Sequence, residues 1–260
     1  MSGRADFLLR MRPETKARLD QVAAERGMSV NDLIIIEIEK RLDARDAERS
    51  IVSVGKGRGF VVQGDDGDPR IITAAHCLPE LPDQAYGMED AELCHDNLIG
   101  PLGEKPSVLA RVIFVDPLAD IAVLSGWNKD YEALTAHPML VSCPSINERC
   151  DARVLSLNGT LVDVLVRRKR TGRIWLTDAY KKIAGGMSGS PIIALDGTAI
   201  GVVTQVIITD CLDQETEQPC IIDCLPPRLA VSTKGGGRAE DFPKERDLER
   251  AALAKKEGRA

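Results

Sequence analysis

Aromatic side chains are scarce in this chain of 260 residues, only 3% of the total. Any core must therefore be filled mainly by Val, Ile, Leu and Ala, a balance that suits a soluble globular protein. The length allows one large domain or two ordinary ones. A run of about 18 apolar residues is missing, which argues against a spanning helix and against a membrane as partner. The start, Met1-Ser2-Gly3-Arg4-Ala5-Asp6, has no apolar signal core. Excess positive charge is absent too. A net charge of −6 argues against wholesale coating of nucleic acid, while leaving room for a local basic surface. Cysteine occurs seven times, at 77, 94, 143, 150, 211, 220 and 224, an odd number with none before Cys77. No C-x-x-C knuckle is present and no His lies near Cys211, Cys220 and Cys224, so neither a metal nor a cofactor is expected.

What the chain does have is three short segments in a fixed order. They are Thr73-Ala74-Ala75-His76-Cys77, Asp120-Ile121-Ala122-Val123-Leu124 and Gly186-Met187-Ser188-Gly189-Ser190-Pro191. Each is ordinary alone. Their joint occurrence, with about 44 and about 68 residues between the candidates, is specific. A serine hydroxyl is a poor nucleophile until a neighbouring base takes its proton. An imidazole titrates near neutrality, so it can take that proton and later return it to a leaving amine. A carboxylate on the other ring nitrogen fixes the tautomer and stabilises the imidazolium.

These segments and their order resemble the trypsin-like serine proteases of the chymotrypsin fold. The approach Gly57-Arg58-Gly59-Phe60-Val61-Val62 is similar to that of the bacterial, HtrA-like branch. The resemblance implies Ser188 as nucleophile, His76 as base, Asp120 as orienting acid and a polypeptide as substrate. It also implies an oxyanion hole formed by the backbone N–H groups of Gly186 and Ser188, each such donor contributing roughly 3–4 kcal/mol. Gly185 and Gly186 are expected to give that loop backbone angles a side chain would forbid. His95, in a loop-like acidic stretch, and His137, before Pro138, are rivals without an apolar strand leading into T-A-A-H. Asp116 rivals Asp120 but is followed by Pro117. Ser190 rivals Ser188, although the family pattern G-x-S-G-x-P aligns Ser188.

Further expectations follow from the same resemblance. Secreted relatives bridge the Cys after the histidine to an upstream Cys, and none exists here, which favours a reducing cytoplasm. Met187 stands where the digestive enzymes carry an Asp that engages a new N-terminus after cleavage. A neutral residue there implies a loop formed constitutively, or ordered by dimerisation or a ligand. Thr204, Gln205 and Val206 would pair with an extended substrate. Lys182 would lie at the floor of the primary pocket, although Lys181 and Lys182 also read as a solvated pair.

Organisation follows from periodicity. Short strands are expected at Ile51–Val54, Gly59–Val62, Arg70–Thr73, Val108–Phe114, Ile121–Leu124, Arg153–Leu157, Thr160–Arg167, Pro191–Ala194 and Ala199–Thr204. With no sustained helical period, residues 51–232 read as mainly β, a two-barrel trypsin-like domain. Residues 1–47 differ. Phe7, Leu9 and Met11 alternate with Leu8, Arg10 and Arg12, the period of a half-buried strand, Pro13 opens a helix that stops at Gly27, and Ser29-Val30-Asn31 opens a second. The apolar surface of that second helix (Leu33, Ile34, Ile36, Ile38, Leu42) is too wide for a lone unit and implies a partner. The segment resembles the Arc-like ribbon-helix-helix family, a β-α-α module that pairs two chains and reads double-stranded DNA. The resemblance implies homodimerisation, groove-facing positions at Asp6, Leu8 and Arg10, and a phosphate contact at the start of the second helix, Ser29 to Asn31. Against it, residues 1–47 carry nine basic and nine acidic side chains. Residues 233–260 read as a charged flexible tail, with 13 of the 23 residues from Arg238 onward charged.

Two functional readings emerge. One is an intracellular serine endopeptidase, dimerised by its N-terminal module and targeted by it to DNA. The other is a DNA-binding regulator whose protease-like domain senses, or cleaves a linker at residues 43–50.

Overall fold

Proline has no N–H to lose at the first position of a helix, and α1 spans Pro13–Glu25. Gly27, at φ +64°, stops it, and the Met28 N–H donates to the Ala23 carbonyl at 3.0 Å. The next helix, α2, spans Val30–Ser50 and is capped by Ser29, whose hydroxyl accepts from the Asp32 N–H at 3.1 Å. Arg26 and Glu37 pair at 3.1 Å between the two helices. Leu33 is buried, whereas Ile35, Ile38 and Leu42 are 53%, 48% and 54% exposed. The segment 43–50, read above as a linker, is instead the last turns of α2. Ala44, Ala47 and Ser50 recur at three-residue spacing and are all buried, so the helix keeps a packed side.

The computed structural model describes residues 11–83, 85, 93–146, 149–171, 173–177, 179, 183–204, 216–226 and 229. Most of the expected ribbon strand, including Leu8 and Arg10, lies outside these residues. The chain divides into two compact units, Met1–Arg45 and Asp46–Ala260.

The second unit begins with a closed antiparallel barrel. Its strands are β1 (Ile51–Val54), β2 (Gly57–Gln63), β3 (Pro69–Thr73), β4 (Cys94–Pro101), β5 (Val108–Asp116) and β6 (Ile121–Ser125). They close in the order β1-β2-β3-β6-β5-β4, with Val54 of β1 opposite Ile99 of β4. Val52, Val54, Val61, Ile71, Val112 and Leu124 fill the interior. Burying each such branched side chain stabilises the barrel by about 1.5–3 kcal/mol. A short helix, α3 (Lys129–Leu134), contributes Tyr131, capped at its N–H by Asn128 Oδ1 at 2.7 Å. The Tyr131 hydroxyl donates to the Pro69 carbonyl at 3.0 Å, so a buried phenol keeps its bond.

Six more strands form the second barrel. They are β7 (Arg149–Leu155), β8 (Leu161–Arg168), β9 (Arg173–Thr177), β10 (Pro191–Ala194), β11 (Ala199–Val202) and β12 (Thr216–Pro219), in the order β11-β10-β7-β8-β9-β12. An antiparallel bridge from Gly201 to Cys220 brings the two ends together. A one-turn helix, α4 (Ile221–Cys224), follows. Val154, Val166, Ile174, Leu176, Ile192 and Ile200 make the core. The fold is thus mainly β, with two six-stranded barrels.

The strand ends differ slightly from expectation, and β4, β9 and β12 were not anticipated. The stretch around His95 is strand rather than loop. Its pattern is hidden because Asn97 takes φ +54° and the β4–β5 register shifts between His95 and Ile99. Among the described residues no helix is long and apolar enough to cross a membrane.

Candidate active site

The buried strand β3 runs into a single 3-10 turn, Ala75–Cys77, which lifts His76 to the barrel rim. Two strands later, a turn between β5 and β6 delivers Asp120 to the same place. Asp116 shapes that turn: its Oδ1 accepts from the N–H groups of Leu118 (2.9 Å) and Ala119 (3.0 Å). Arg173, on β9 of the other barrel, donates to the Leu118 carbonyl at 2.8 Å and steadies its tip. Asp120 itself sits at φ +56°, a left-handed conformation that is uncommon outside glycine.

That conformation lets Asp120 grip the His76 turn three ways, twice at His76 itself and once at Ala75. Its carbonyl accepts from the Ala75 N–H at 3.2 Å, Oδ1 accepts from the His76 N–H at 3.0 Å, and Oδ2 lies 2.8 Å from His76 Nδ1. The imidazole is 30% exposed and the carboxylate 21%. The bond from Asp120 raises the His76 pKa above 6.5, burial opposes this, and the negative charge of Asp120 adds to the rise. With Nδ1 committed to the carboxylate, Nε2 is the nitrogen free to take a proton. Asp116 and Asp120 therefore have separate tasks, one shaping the turn and the other holding the ring. Of the rival histidines, His95 lies half-buried on β4 and His137 is exposed before Pro138.

Ser188 reaches the rim by a different route. Gly186 takes φ +89° and Gly189 φ +82°, which turn the chain sharply on either side of the serine. A Cβ at Gly189 would overlap the Arg58 carbonyl, so no side chain fits there. Gly185, by contrast, has no positive φ and no heavy atom within 4 Å of an added Cβ, so the expectation that it too needs to be glycine does not hold. The Arg58 N–H donates to the Ser188 carbonyl at 2.7 Å, and the Cys77 thiol, next to His76, donates to the same oxygen at 3.6 Å. A Cβ on Gly57 would come within 2.5 Å of that carbonyl. The backbone of Ser188 thus packs against Cys77. Among the described residues, Ser188 Oγ makes no hydrogen bond, and it is the carbonyl of Ser188 that is held. Ser190 is fully buried and among the described residues its hydroxyl has no partner, which removes it as an accessible nucleophile.

The loop before Ser188 is anchored from below. Met187 is 1% exposed within the core of the second barrel, and its sulfur accepts from the Ala184 N–H at 3.3 Å. On the other flank, Leu157 would meet a Cβ on Gly186 at 3.7 Å. Leu157 belongs to a turn held by Arg58, whose guanidinium donates to the carbonyls of Leu155 (2.7 Å) and Ser156 (3.3 Å). Burial lowers the Arg58 pKa and the charge of Glu48 opposes that. Among the described residues, the N–H groups of Gly186 and Ser188 have no backbone acceptor.

The substrate edge is described in part. Thr204 is buried, and both its N–H (2.5 Å) and its hydroxyl (3.1 Å) donate to Gln218 Oε1. Lys182, Gln205 and Val206 lie outside the described residues. Burial pushes the Cys77 thiol up to about 11, so it is a packing group rather than a reactive one. Sequence reasoning missed Arg58, Arg173 and Gly189. The first two act through long-range contacts with no local signature, whereas Gly189 was visible inside the G-x-S-G motif.

The family described as trypsin-like peptidase domain matches residues 57–202. Among solved structures, the active form of the Rv3671c protease from M. tuberculosis is similar at 18% identity and TM-score 0.49, covering 75% of this chain and 86% of that one. The human pathogenic astrovirus serine protease is similar at 16% identity and TM-score 0.43, covering 69% and 94%. The serine endoprotease from Yersinia pestis has the same identity and TM-score, covering 69% and 62%. No curated protein sequence matches the chain.

Proposed function

The chain belongs to the trypsin-like peptidase domain family and is a serine endopeptidase; from that premise we propose that Ser188, His76 and Asp120 are its catalytic triad. The observation that carries this assignment is the carboxylate of Asp120 held on both the N–H and Nδ1 of His76. His76 Nε2 takes the Ser188 proton as Oγ attacks the scissile carbonyl, and the Gly186 and Ser188 N–H groups receive the oxyanion. His76 then protonates the leaving amine, and water releases the acyl group by the same steps in reverse. The Thr204 carbonyl and the Gln205–Val206 stretch receive the extended substrate. Incubating the protein with a peptide library and reading products by mass spectrometry tests this. Internal cleavage that disappears in Ser188→Ala is expected; cleavage that survives contradicts it.

The buried Met187 supports a loop formed without N-terminal trimming, and with the Gly57–Val62 approach it favours the HtrA-like branch. Cys77, buried as a thiol beside Ser188, is consistent with a reducing cytoplasm.

For the N-terminal module we propose an Arc-like ribbon-helix-helix fold whose role is to pair two chains. Ile35, Ile38 and Leu42 line one exposed side of α2 at spacings of three and four, an apolar stripe that a second copy would cover. Light scattering on the eluting protein should give twice the chain mass, and Ile38→Asp should give one. DNA targeting is less favoured by this geometry. Ser29 Oγ donates to the Asp32 carboxylate at 2.7 Å, which puts negative charge where a phosphate would dock. A shift of duplex DNA that weakens with salt and with Arg10→Ala would establish targeting as well.

A further inference from the structure

At the seam where the end strands of the second barrel meet, two thiols face each other. Cys143 Sγ lies 4.0 Å from Cys220 Sγ, across 77 residues of sequence. Cys220 is fully buried at the start of α4, directly opposite Gly201 where β11 meets the end of β12. Cys143 is half-buried and sits on the segment joining the barrels, tied to β11 by the Ser142 N–H donating to the Ala199 carbonyl at 3.0 Å. Arg168, at the end of β8, spans both walls of this niche. Its Nε and a terminal nitrogen hold Asp223 at 2.7 and 2.5 Å, and its other terminal nitrogen holds the Pro144 carbonyl at 3.2 Å.

We propose that Cys143 and Cys220 are a redox-active dithiol that closes to a disulfide, stapling the inter-barrel segment to the β11–β12 seam. A disulfide needs its sulfurs about 2.05 Å apart, so closing the bond brings the two sulfurs about 2 Å nearer than the 4.0 Å seen. The Cys220 thiol donates to Cys143 and the Arg168 cation lies nearby, and together they hold Cys143 below the usual thiol range against its burial. Cys220 is pushed far the other way, first by that same bond and then by burial. Cys143, the more accessible of the two, is therefore the attacking thiolate.

The oxidant is a small disulfide such as oxidised glutathione. The Cys143 thiolate attacks one of its sulfurs, the S–S bond breaks, and one glutathione leaves as a thiolate that takes up a proton. Cys220 then attacks the Cys143 sulfur as its own proton leaves, expelling the second glutathione. Two protein thiols are oxidised and one small disulfide is reduced to two thiols. The same three groups, Cys143, Cys220 and Asp223, have ligand atoms within 4.8 Å of one another and could suggest a metal. The Asp223 carboxylate, however, already has both oxygens on Arg168, which favours the dithiol.

The test is equilibration of the full chain in graded glutathione buffers, followed by differential alkylation and peptide mapping. A Cys143–Cys220 cross-linked peptide is expected, together with a Tm that rises on oxidation because the bond closes a long loop. That rise should vanish in Cys143→Ser, while the variant's Tm stays near that of the reduced parent. Alkylation of both thiols in the most oxidising buffer, or a bond from either to Cys150, Cys211 or Cys224 instead, would overturn the proposal. So would stoichiometric zinc retained by the reduced chain and lost in Asp223→Asn.

Discussion

The two barrels bring their halves of the site to the rim by different physics. In the first, position is set by directional bonds to one carboxylate. Asp120 adopts a left-handed backbone, holds the Ala75 and His76 N–H groups and meets Nδ1 of the ring. In the second, position is set by exclusion and burial. Gly189 fits because nothing larger would, Met187 is sunk in the core, and the Ser188 carbonyl is pinned by the Arg58 N–H. The first arrangement should fail in rate when one oxygen is changed. The second should fail in stability when one methyl is added.

The sharpest way to separate them is Asp120→Asn. It keeps the shape but loses the correct tautomer of His76, so kcat should fall by about 10⁴-fold, with a small change in unfolding free energy. Peptide hydrolysis alongside denaturant titration checks both halves of that statement. Gly189→Ala should behave in the opposite sense. Its methyl overlaps a backbone oxygen at a positive φ, and denaturant titration should show a loss on the order of 3–5 kcal/mol. Met187→Asp places a carboxylate without a partner in the core and should cost about 3–5 kcal/mol, whereas Met187→Leu should cost under about 1.5. A fully stable Met187→Asp would show that burial does not anchor the loop.

Arg58 links the two modes, because its backbone holds Ser188 while its side chain holds the turn that carries Leu157. Arg58→Met leaves the Leu155 and Ser156 carbonyls without their donor, costing about 1–3 kcal/mol. Its kcat should drop about ten- to a hundred-fold with little change in KM, as the Gly186 flank loosens. The smallest effect concerns pH. With neutral His76 as the base of the proposed triad, kcat/KM should rise with pH as the ring loses its proton. Since the bond from Asp120 raises its pKa, the midpoint should lie above 6.5 and fall toward that value in Asp120→Asn.

The same contrast explains what could be read from the sequence. His76, Asp120 and Ser188 stand in short motifs on strand ends, and local patterning located β1, β2, β3, β5, β6, β7, β8, β10 and β11. What escaped depends on distant neighbours. The strand β4 is masked by its shift in register, and β12 by its polar make-up, since Thr216 and Gln218 are buried where apolar residues would stand; β9 does alternate, burying Ile174 and Leu176, but is only five residues long. The burial of Met187 was likewise illegible, since a neutral residue at that place does not say which core receives it. Nor did the cysteine spacing reveal that Cys143 meets Cys220, 77 positions away. The continuity of α2 to Ser50 was obscured because its final turns bury Ala and Ser rather than large apolar residues.

Covalent labelling by a fluorophosphonate probe, mapped to its peptide, tests the triad assignment most directly. One adduct per chain is expected, on Ser188, with none in Ser188→Ala and a greatly slowed reaction in Asp120→Asn. An adduct on Ser190, or labelling that persists in Ser188→Ala, would contradict it.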